Sequence, residues 1–251
     1  HLENYRKMLA CLGSTPALCE DGTHGGIFMT TMKGESRERY LHMLNLDGFD
    51  KHVHVSLEGT PLFGGRMPAP SEEALRLLSN YVVENRCDLG IATDGDADRL
   101  GVIDEYGNYL HANTILVLLY YYFLQYRGWL GPCVRNNSTT HLMDRVAMDF
   151  DQECYEVPVG FKYVSAKMAQ TGAIIGGESS GGLAVRGHIL GKDGIYAAAL
   201  LVEALSATGK TVSQLRREIT DRYGDLHYEE AAFAMTNARK AELMTLLFVL
   251  G

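Results

Sequence analysis

The stretch Ile91–Gly107, IATDGDADRLGVIDEYG, constrains this chain more than any other part of it. Asp94, Asp96 and Asp98 alternate with Gly95 and Ala97 on a connection bounded by two apolar runs, Leu89–Thr93 and Leu100–Ile103. The runs read as short strands and Asp104–Gly107 has turn composition, so the aspartates lie where one strand hands over to the next. Alternate side chains of an extended or tightly turned segment point the same way, which lets oxygens at i, i+2 and i+4 converge on one hard cation. Magnesium is the expected ion, with Asp94, Asp96 and Asp98 as ligands, because three crowded carboxylates need positive charge among them. A calcium loop of the EF-hand type is the rival. Glu105 stands at its twelfth position, but Arg99 occupies the sixth, where the turn demands glycine, and strands flank the loop instead of helices. A solvated acidic turn is the plainer alternative, and Arg99 with the apolar flanks argues against it.

At 251 residues, 46% hydrophobic and 22% charged, the chain has the size of one large or two modest domains, and two are expected. A net charge of -8 without a dense Lys/Arg cluster argues against nucleic acid, while a small anionic substrate stays compatible with positive charge focused in a cleft. Five cysteines, Cys11, Cys19, Cys87, Cys133 and Cys154, include no C-x-x-C pair and read as buried thiols of a reducing, cytoplasmic compartment. The longest apolar run, Ile115–Leu124, is too short to span a bilayer, and it follows His-Ala-Asn-Thr, which resembles a helix cap. It reads as a buried helix, and no membrane partner is expected. The first residue is His1 and not Met, and no secretory leader opens the chain, so an excerpted polypeptide is expected.

Elsewhere the pattern alternates between strand and helix. Leu2–Leu12 looks helical, Glu20–Gly26 a loop, Ile27–Met32 a strand, Ser36–Leu44 a helix, Lys51–Leu57 a strand and Pro61–Pro70 an irregular loop. Ser71–Val83 is a helix with Ser71 as cap. A second unit starts near Gly131, after a linker at Tyr126–Pro132. It has a strand at Cys133–Arg135, a helix at Thr140–Ala147, a strand at Glu153–Val157, a helix at Tyr163–Ala169, a strand at Ala173–Ile175 and a long helix over Asp193–Ser206. The alternation implies α/β layers whose strands end in functional loops.

Gly176–Gly182, GGESSGG, follows an apolar strand. Its glycines let backbone approach a ligand, while Glu178 and Ser180 offer an acceptor and a donor on one side if the loop is extended, a pair that suits vicinal sugar hydroxyls. A bare tight turn is the alternative. Polar side chains there have no expected packing duty. Gly187–Asp193 lacks the spacing and the terminal Ser/Thr of a Walker loop. Arg186, His188 and Lys192 follow within a few residues, and Lys162 stands after a strand and a glycine, where it can meet a phosphate. Singly, each basic residue reads as solvated surface; their grouping on strand-terminal loops favours a site.

Four motifs in this order, TDGDADR (Thr93–Arg99), PVGFKY (Pro158–Tyr163), GESSG (Gly177–Gly181) and GKDG (Gly191–Gly194), resemble the α-D-phosphohexomutase family of phosphoglucomutases and phosphomannomutases. The likeness spans roughly Met29–Gly224. It implies an α/β fold of two successive α/β/α layered domains with mixed sheets, the second and third of the family's four: residues 1–128 with the metal loop, 129–225 with the sugar loop, and a tail, 226–251, leading toward a fourth. It further implies that Asp94, Asp96 and Asp98 bind Mg2+ and that Arg99 steadies a phosphoserine or the substrate. Gly177, Glu178 and Ser180 would hold a hexose phosphate in either orientation, and Lys162, His188 and Lys192 would contact phosphate or move protons. Ser179 stands where this subgroup usually has Glu or Met. No Thr-Ala-Ser-His-Asn-Pro-like phosphoserine loop and no Arg-x-Ser-Gly-Thr-like phosphate loop occurs in the 251 residues, so domains I and IV are the expected missing partners. Ser138 is not a convincing replacement nucleophile, because the family starts a helix there.

Two other classes compete with a mutase core: a non-catalytic sugar-phosphate-binding or interaction module, and a DxD-type metal-dependent phosphatase. The second needs an aspartate nucleophile besides its metal ligands, all from Asp94–Asp98.

Overall fold

The computed structural model describes residues 30–31, 69–84, 86–94, 97–229 and 235–250. The elements expected over Leu2–Leu12, Ser36–Leu44 and Lys51–Leu57, and the side chain of Asp96, lie outside the described residues.

The first sheet contains β1 (Thr30–Thr31), β2 (Gly90–Thr93), β3 (Leu100–Ile103) and β4 (Tyr109–Leu110), neighbours in that order and antiparallel throughout. Thr93 faces Leu100 and Gly90 faces Ile103, so the aspartate segment is the connection of a β2–β3 hairpin. Both strands are buried at every position instead of alternating, because each face is covered. On one side Ala92 and Ile103 pack with Leu75, Leu78 and Val82 of the segment leading into and forming α1 (Arg76–Glu84). On the other, Ile91, Leu100, Val102 and Leu110 pack against α2 (Ala112–Gln125). The Ser71 cap exists in weaker form than expected. Its hydroxyl accepts from the Ala74 N–H at 3.4 Å, but residues 72–75 form turns and the regular helix begins at Arg76.

The second sheet has the order β6 (Cys154–Val157), β5 (Cys133–Asn136), β7 (Ile175–Gly177), β8 (Leu183–Val185). β6, β5 and β7 are parallel and β8 runs antiparallel to β7, so this sheet is mixed. The carboxyl ends of the parallel strands, Asn136, Val157 and Gly177, therefore share one edge, where ligands of α/β proteins gather. The crossovers carry α3 (Leu142–Asp149) and α4 (Phe161–Thr171), and α4 covers one face through Val164 and Met168. The strand expected at Ala173–Ile175 is displaced to Ile175–Gly177, so the first two glycines of the GGESSGG segment are strand residues. A Cβ on Gly176 would lie 2.7 Å from Met168 Sδ and from Val164 Cγ1, which makes this glycine a packing requirement of α4 on the sheet and not a ligand approach.

Helix α2 is the shared core of both sheets. Ile115 to Leu124 are all buried, the His111 Nδ1 caps the helix by accepting from the Asn113 N–H at 3.2 Å, and the same apolar cluster reaches Ile91, Val102, Cys133, Ile175 and Val185. Helices α5 (Gly194–Thr208) and α6 (Val212–Tyr223) pack on α2. Tyr121 and Tyr126 donate to the Glu218 carboxylate at 2.8 Å, and Lys210 pairs with it. Burial first and the Glu218 bond second push the Tyr121 phenol up to about 12. Strands β4 and β8, helix α6 and α7 (Asn237–Leu250) have no counterpart in the pattern reading. Among the described residues no single helix is long and apolar enough to cross a membrane.

Candidate active site

The hairpin connection is shaped by Asp94. This carboxylate is buried, and its Oδ1 accepts from the backbone N–H groups of Asp98 and Arg99, both at 3.0 Å, folding the loop back on its own start. The turn requires a positive φ, 60°, at Ala97, a conformation that L-residues with a Cβ adopt rarely. Arg99 Nε lies 3.3 Å from Asp94 Oδ2 and 3.6 Å from Asp98 Oδ1, and Lys192 Nζ pairs with Asp98 Oδ2. Two cationic side chains thus neutralise the described carboxylates. Among the described residues no three Asp, Glu, His or Cys side chains form a metal-holding group. The donor chemistry nevertheless fits magnesium: hard carboxylate oxygens sit on one loop, and Asp98 Oδ1 is buried without a hydrogen bond.

Across from this loop lies the segment after β7, which is a closed turn and not extended. The Glu178 N–H donates to the Gly182 carbonyl at 3.0 Å and the Gly181 N–H to the Glu178 carbonyl at 3.1 Å. Ser180 is consequently exposed at the tip, while Glu178 folds inward. Glu178 Oε1 accepts from Asn136 Nδ2 at 3.1 Å and from the backbone N–H of Gly160 at 2.9 Å. Glu178 therefore has the structural duty that its sequence context did not announce: it joins the ends of β5 and β7 to the start of α4. Ser179 Oγ is 3.1 Å from Ser138 Oγ, a second tie between the same two loops.

The two halves meet here. The Leu100 N–H donates to the Gly181 carbonyl at 3.3 Å, Arg99 bridges to Gly182, and Lys192 reaches over Phe161, with Nζ 6.0 Å from the ring centre, to touch Asp98. Arg99, Asp94, Asp98, Gly177–Gly182 and Lys192 are thus brought into one neighbourhood. His188 is held beside it: its Nε2 is 2.8 Å from Asp193 Oδ2, and its ring stacks on Tyr196 at 4.2 Å. Asp193 in turn caps α5 by accepting from the Tyr196 N–H at 2.8 Å. Lys162 projects from the exposed first turn of α4, its Nζ 4.9 Å from the centre of the Tyr163 ring. Asn136 is a site component that the sequence did not single out, while Ser138, dismissed there as a nucleophile, and Asp193 take on positioning contacts. The polar run Asn136–Thr140 at the carboxyl end of a parallel strand was the available signal for the first two.

With this geometry, the comparisons with known proteins are specific. The family model described as phosphoglucomutase/phosphomannomutase, alpha/beta/alpha domain II matches residues 18–107, and that for domain III matches 111–223. The chain belongs to the phosphoglucomutase/phosphomannomutase family. It is 37% identical over 182 residues to a probable phosphoglucosamine mutase of Methanosarcina barkeri, covering 72% of this chain and 40% of that protein. It is 32% identical over 173 residues to a phosphoglucomutase/phosphomannomutase of Thermococcus kodakarensis, covering 69% and 38%. A solved structure from Thermus thermophilus, described as a putative phosphomannomutase, matches with a TM-score of 0.68 and 27% identity over 88% of this chain and 51% of that one. The chain spans about two-fifths of the length of the curated relatives it matches, 40% and 38% for these two. The family models divide the chain between residues 107 and 111, whereas the expected boundary lay after residue 128; α2, which lies between, packs on both sheets.

Proposed function

We propose that these residues are the metal- and sugar-binding core of a phosphohexomutase that interconverts hexose 1-phosphates and 6-phosphates through a phosphoserine and a bisphosphate intermediate. The observation that carries the reading is the docking of the Asp94–Arg99 loop on the Glu178–Gly182 turn, with Lys192 spanning both. Asp94, Asp96 and Asp98 would hold Mg2+, which when bound neutralises charge on a transferring phosphoryl group. Arg99 supplies a fixed cation beside those carboxylates, and Lys192, able to leave Asp98, supplies a second that can turn toward phosphate. Glu178 presents a carboxylate to sugar hydroxyls at the edge where the parallel strands end. Lys162, in the first turn of α4, is the candidate phosphate contact, and His188, oriented by Asp193, is the candidate proton carrier.

The phosphoserine loop and the distal phosphate loop belong to parts of the mutase outside these 251 residues. The names of the relatives, phosphoglucosamine mutase and phosphoglucomutase/phosphomannomutase, support a hexose or hexosamine phosphate as the substrate class, and the cytoplasm is the compartment in which we place the reaction. The test is made on the protein encoded by the full reading frame, supplied with glucose 1-phosphate and Mg2+. Isomerisation to glucose 6-phosphate, lost in Asp98→Asn, supports the mutase; phosphate release without isomerisation would establish the phosphatase instead.

A further inference from the structure

Asn136 closes β5 and is 1% exposed, yet every polar atom of its side chain is engaged. Its Oδ1 accepts from the Ser138 N–H at 3.1 Å, the Ser138 hydroxyl at 2.8 Å and the Thr139 hydroxyl at 2.7 Å. The Ser138 N–H can only donate, so the atom facing it is the amide oxygen, and the Nδ2 group is left to face Glu178. There it donates to Oε1, the same oxygen that accepts from the Gly160 N–H. Both donors fall on one carboxylate oxygen. Oε2 carries no hydrogen bond among the described residues and is not among their buried unpartnered atoms, and the residue is half-buried.

We infer that Asn136 is a positioning residue for sugar recognition: it clamps Glu178 Oε1 so that Oε2 is presented, pre-oriented, to a substrate hydroxyl. This rests on the hexose-phosphate reading above. Holding three loop ends together needs only one acceptor oxygen, which a glutamine provides equally well. The second oxygen is what a carboxylate adds, and a sugar hydroxyl is the donor it suits. The clamp removes the rotamer freedom that a free glutamate loses on binding, so its contribution appears as affinity. It comes from the last residue of β5, so the end of that strand influences how the turn after β7 reads the sugar without touching the sugar itself.

The test is equilibrium binding of glucose 1-phosphate to the protein and to Glu178→Ala, Glu178→Gln, Asn136→Ala and the Asn136→Ala/Glu178→Ala double variant, with thermal melts of each. Glu178→Ala is expected to weaken binding about tenfold or more, and Asn136→Ala about three- to tenfold. The double variant should match Glu178→Ala within about twofold, because a residue acting through Glu178 has nothing left to act on. Glu178→Gln should keep the wild-type melt and lose affinity. Asn136→Ala also strips Ser138 and Thr139 of their acceptor, so Asn136→Asp, which retains that acceptor and opposes one oxygen to Glu178, is measured beside it with the same expected loss. Losses that add in the double variant, or wild-type affinity in both Asn136 variants, overturn the inference while leaving the sugar site standing. Wild-type affinity in Glu178→Ala, or no binding by the unaltered protein, removes the sugar site and the inference with it.

Discussion

The backbone N–H of Gly194 donates to the Ala97 carbonyl over 2.9 Å, joining the first residue of α5 to the aspartate loop. A Cβ on Gly194 would lie 2.6 Å from the Arg99 carbonyl oxygen and 2.9 Å from that of Ala97. This close backbone contact ties the acidic loop to the start of α5, just after the basic residues that precede it.

Gly194→Ala should therefore be destabilising although alanine favours helix. The atoms in the way are backbone, which cannot swing aside, and overpacking of this kind costs about 1–3 kcal/mol. Most of that range exceeds the roughly 1 kcal/mol of propensity gained. Thermal melts should show a lower transition, and magnesium binding should weaken in parallel. A wild-type melt would mean that the loop and helix are not held at this separation.

Magnesium should bind the Asp94, Asp96, Asp98 loop weakly, and Asp96→Asn or Asp98→Asn should reduce the affinity. Lys192 occupies Asp98 Oδ2, so an incoming cation competes with it. Lys192→Met should then strengthen magnesium binding by about fivefold, the equivalent of about 1 kcal/mol for a partly exposed ion pair. Calorimetric titration decides the matter. Unchanged affinity in Asp96→Asn and Asp98→Asn removes the loop as a metal site.

Glu178→Ala should cost stability as well as sugar affinity, because Asn136 Nδ2 and the Gly160 N–H both lose their acceptor. About 1–3 kcal/mol is expected for the stranded donors. Glu178→Gln keeps an acceptor in place and should melt close to wild type. If the alanine variant is as stable as the parent, the hydrogen bonds of Glu178 contribute nothing to the fold.

The α2–α6 contact should be sensitive to acid. Burial alone raises the Glu218 carboxyl, but hydrogen bonds from Lys210, Tyr126 and Tyr121 outweigh it and hold the group below its ordinary value of 4.5. A carboxylate depressed by folding contributes stability that is complete above about pH 4.5 and is lost as the pH falls through the lowered value. The melting temperature of wild type should drop more steeply below that pH than the melting temperature of Glu218→Gln. Parallel curves for the two proteins would show that this cluster carries no such linkage.

The 251-residue chain alone should give no mutase turnover, since phosphoryl transfer needs a phosphorylated nucleophile and no phosphoserine loop occurs in its sequence. Conversion of glucose 1-phosphate to glucose 6-phosphate by the purified chain would overturn the proposed division of labour.

Local chemistry made much of this protein readable in one dimension. The β2–β3 hairpin follows from two apolar runs around a polar connection, α2 from an unbroken apolar stretch behind a cap, and α5 from Asp193 placed before a long apolar helix. Thr211-Val-Ser-Gln214 was an equally legible start for α6, a capping box in which the Gln214 side chain accepts from the Thr211 N–H at 2.9 Å. Motif order was enough to indicate the family, because each motif is contiguous in the sequence. What sequence could not decide was anything that depends on which loops meet. Gly176 and Gly194 look like the same flexible residue in a string, yet one is required by Met168 and Val164 and the other by the carbonyls of Ala97 and Arg99. Glu178 reads as a ligand-facing acid until Asn136, 42 positions away, and Gly160 are found on its Oε1. Hydrogen bonds and close contacts are short-ranged in space and indifferent to separation along the chain, so the duties of these residues were set only when the β5, β6 and β7 ends came together at one edge of the sheet.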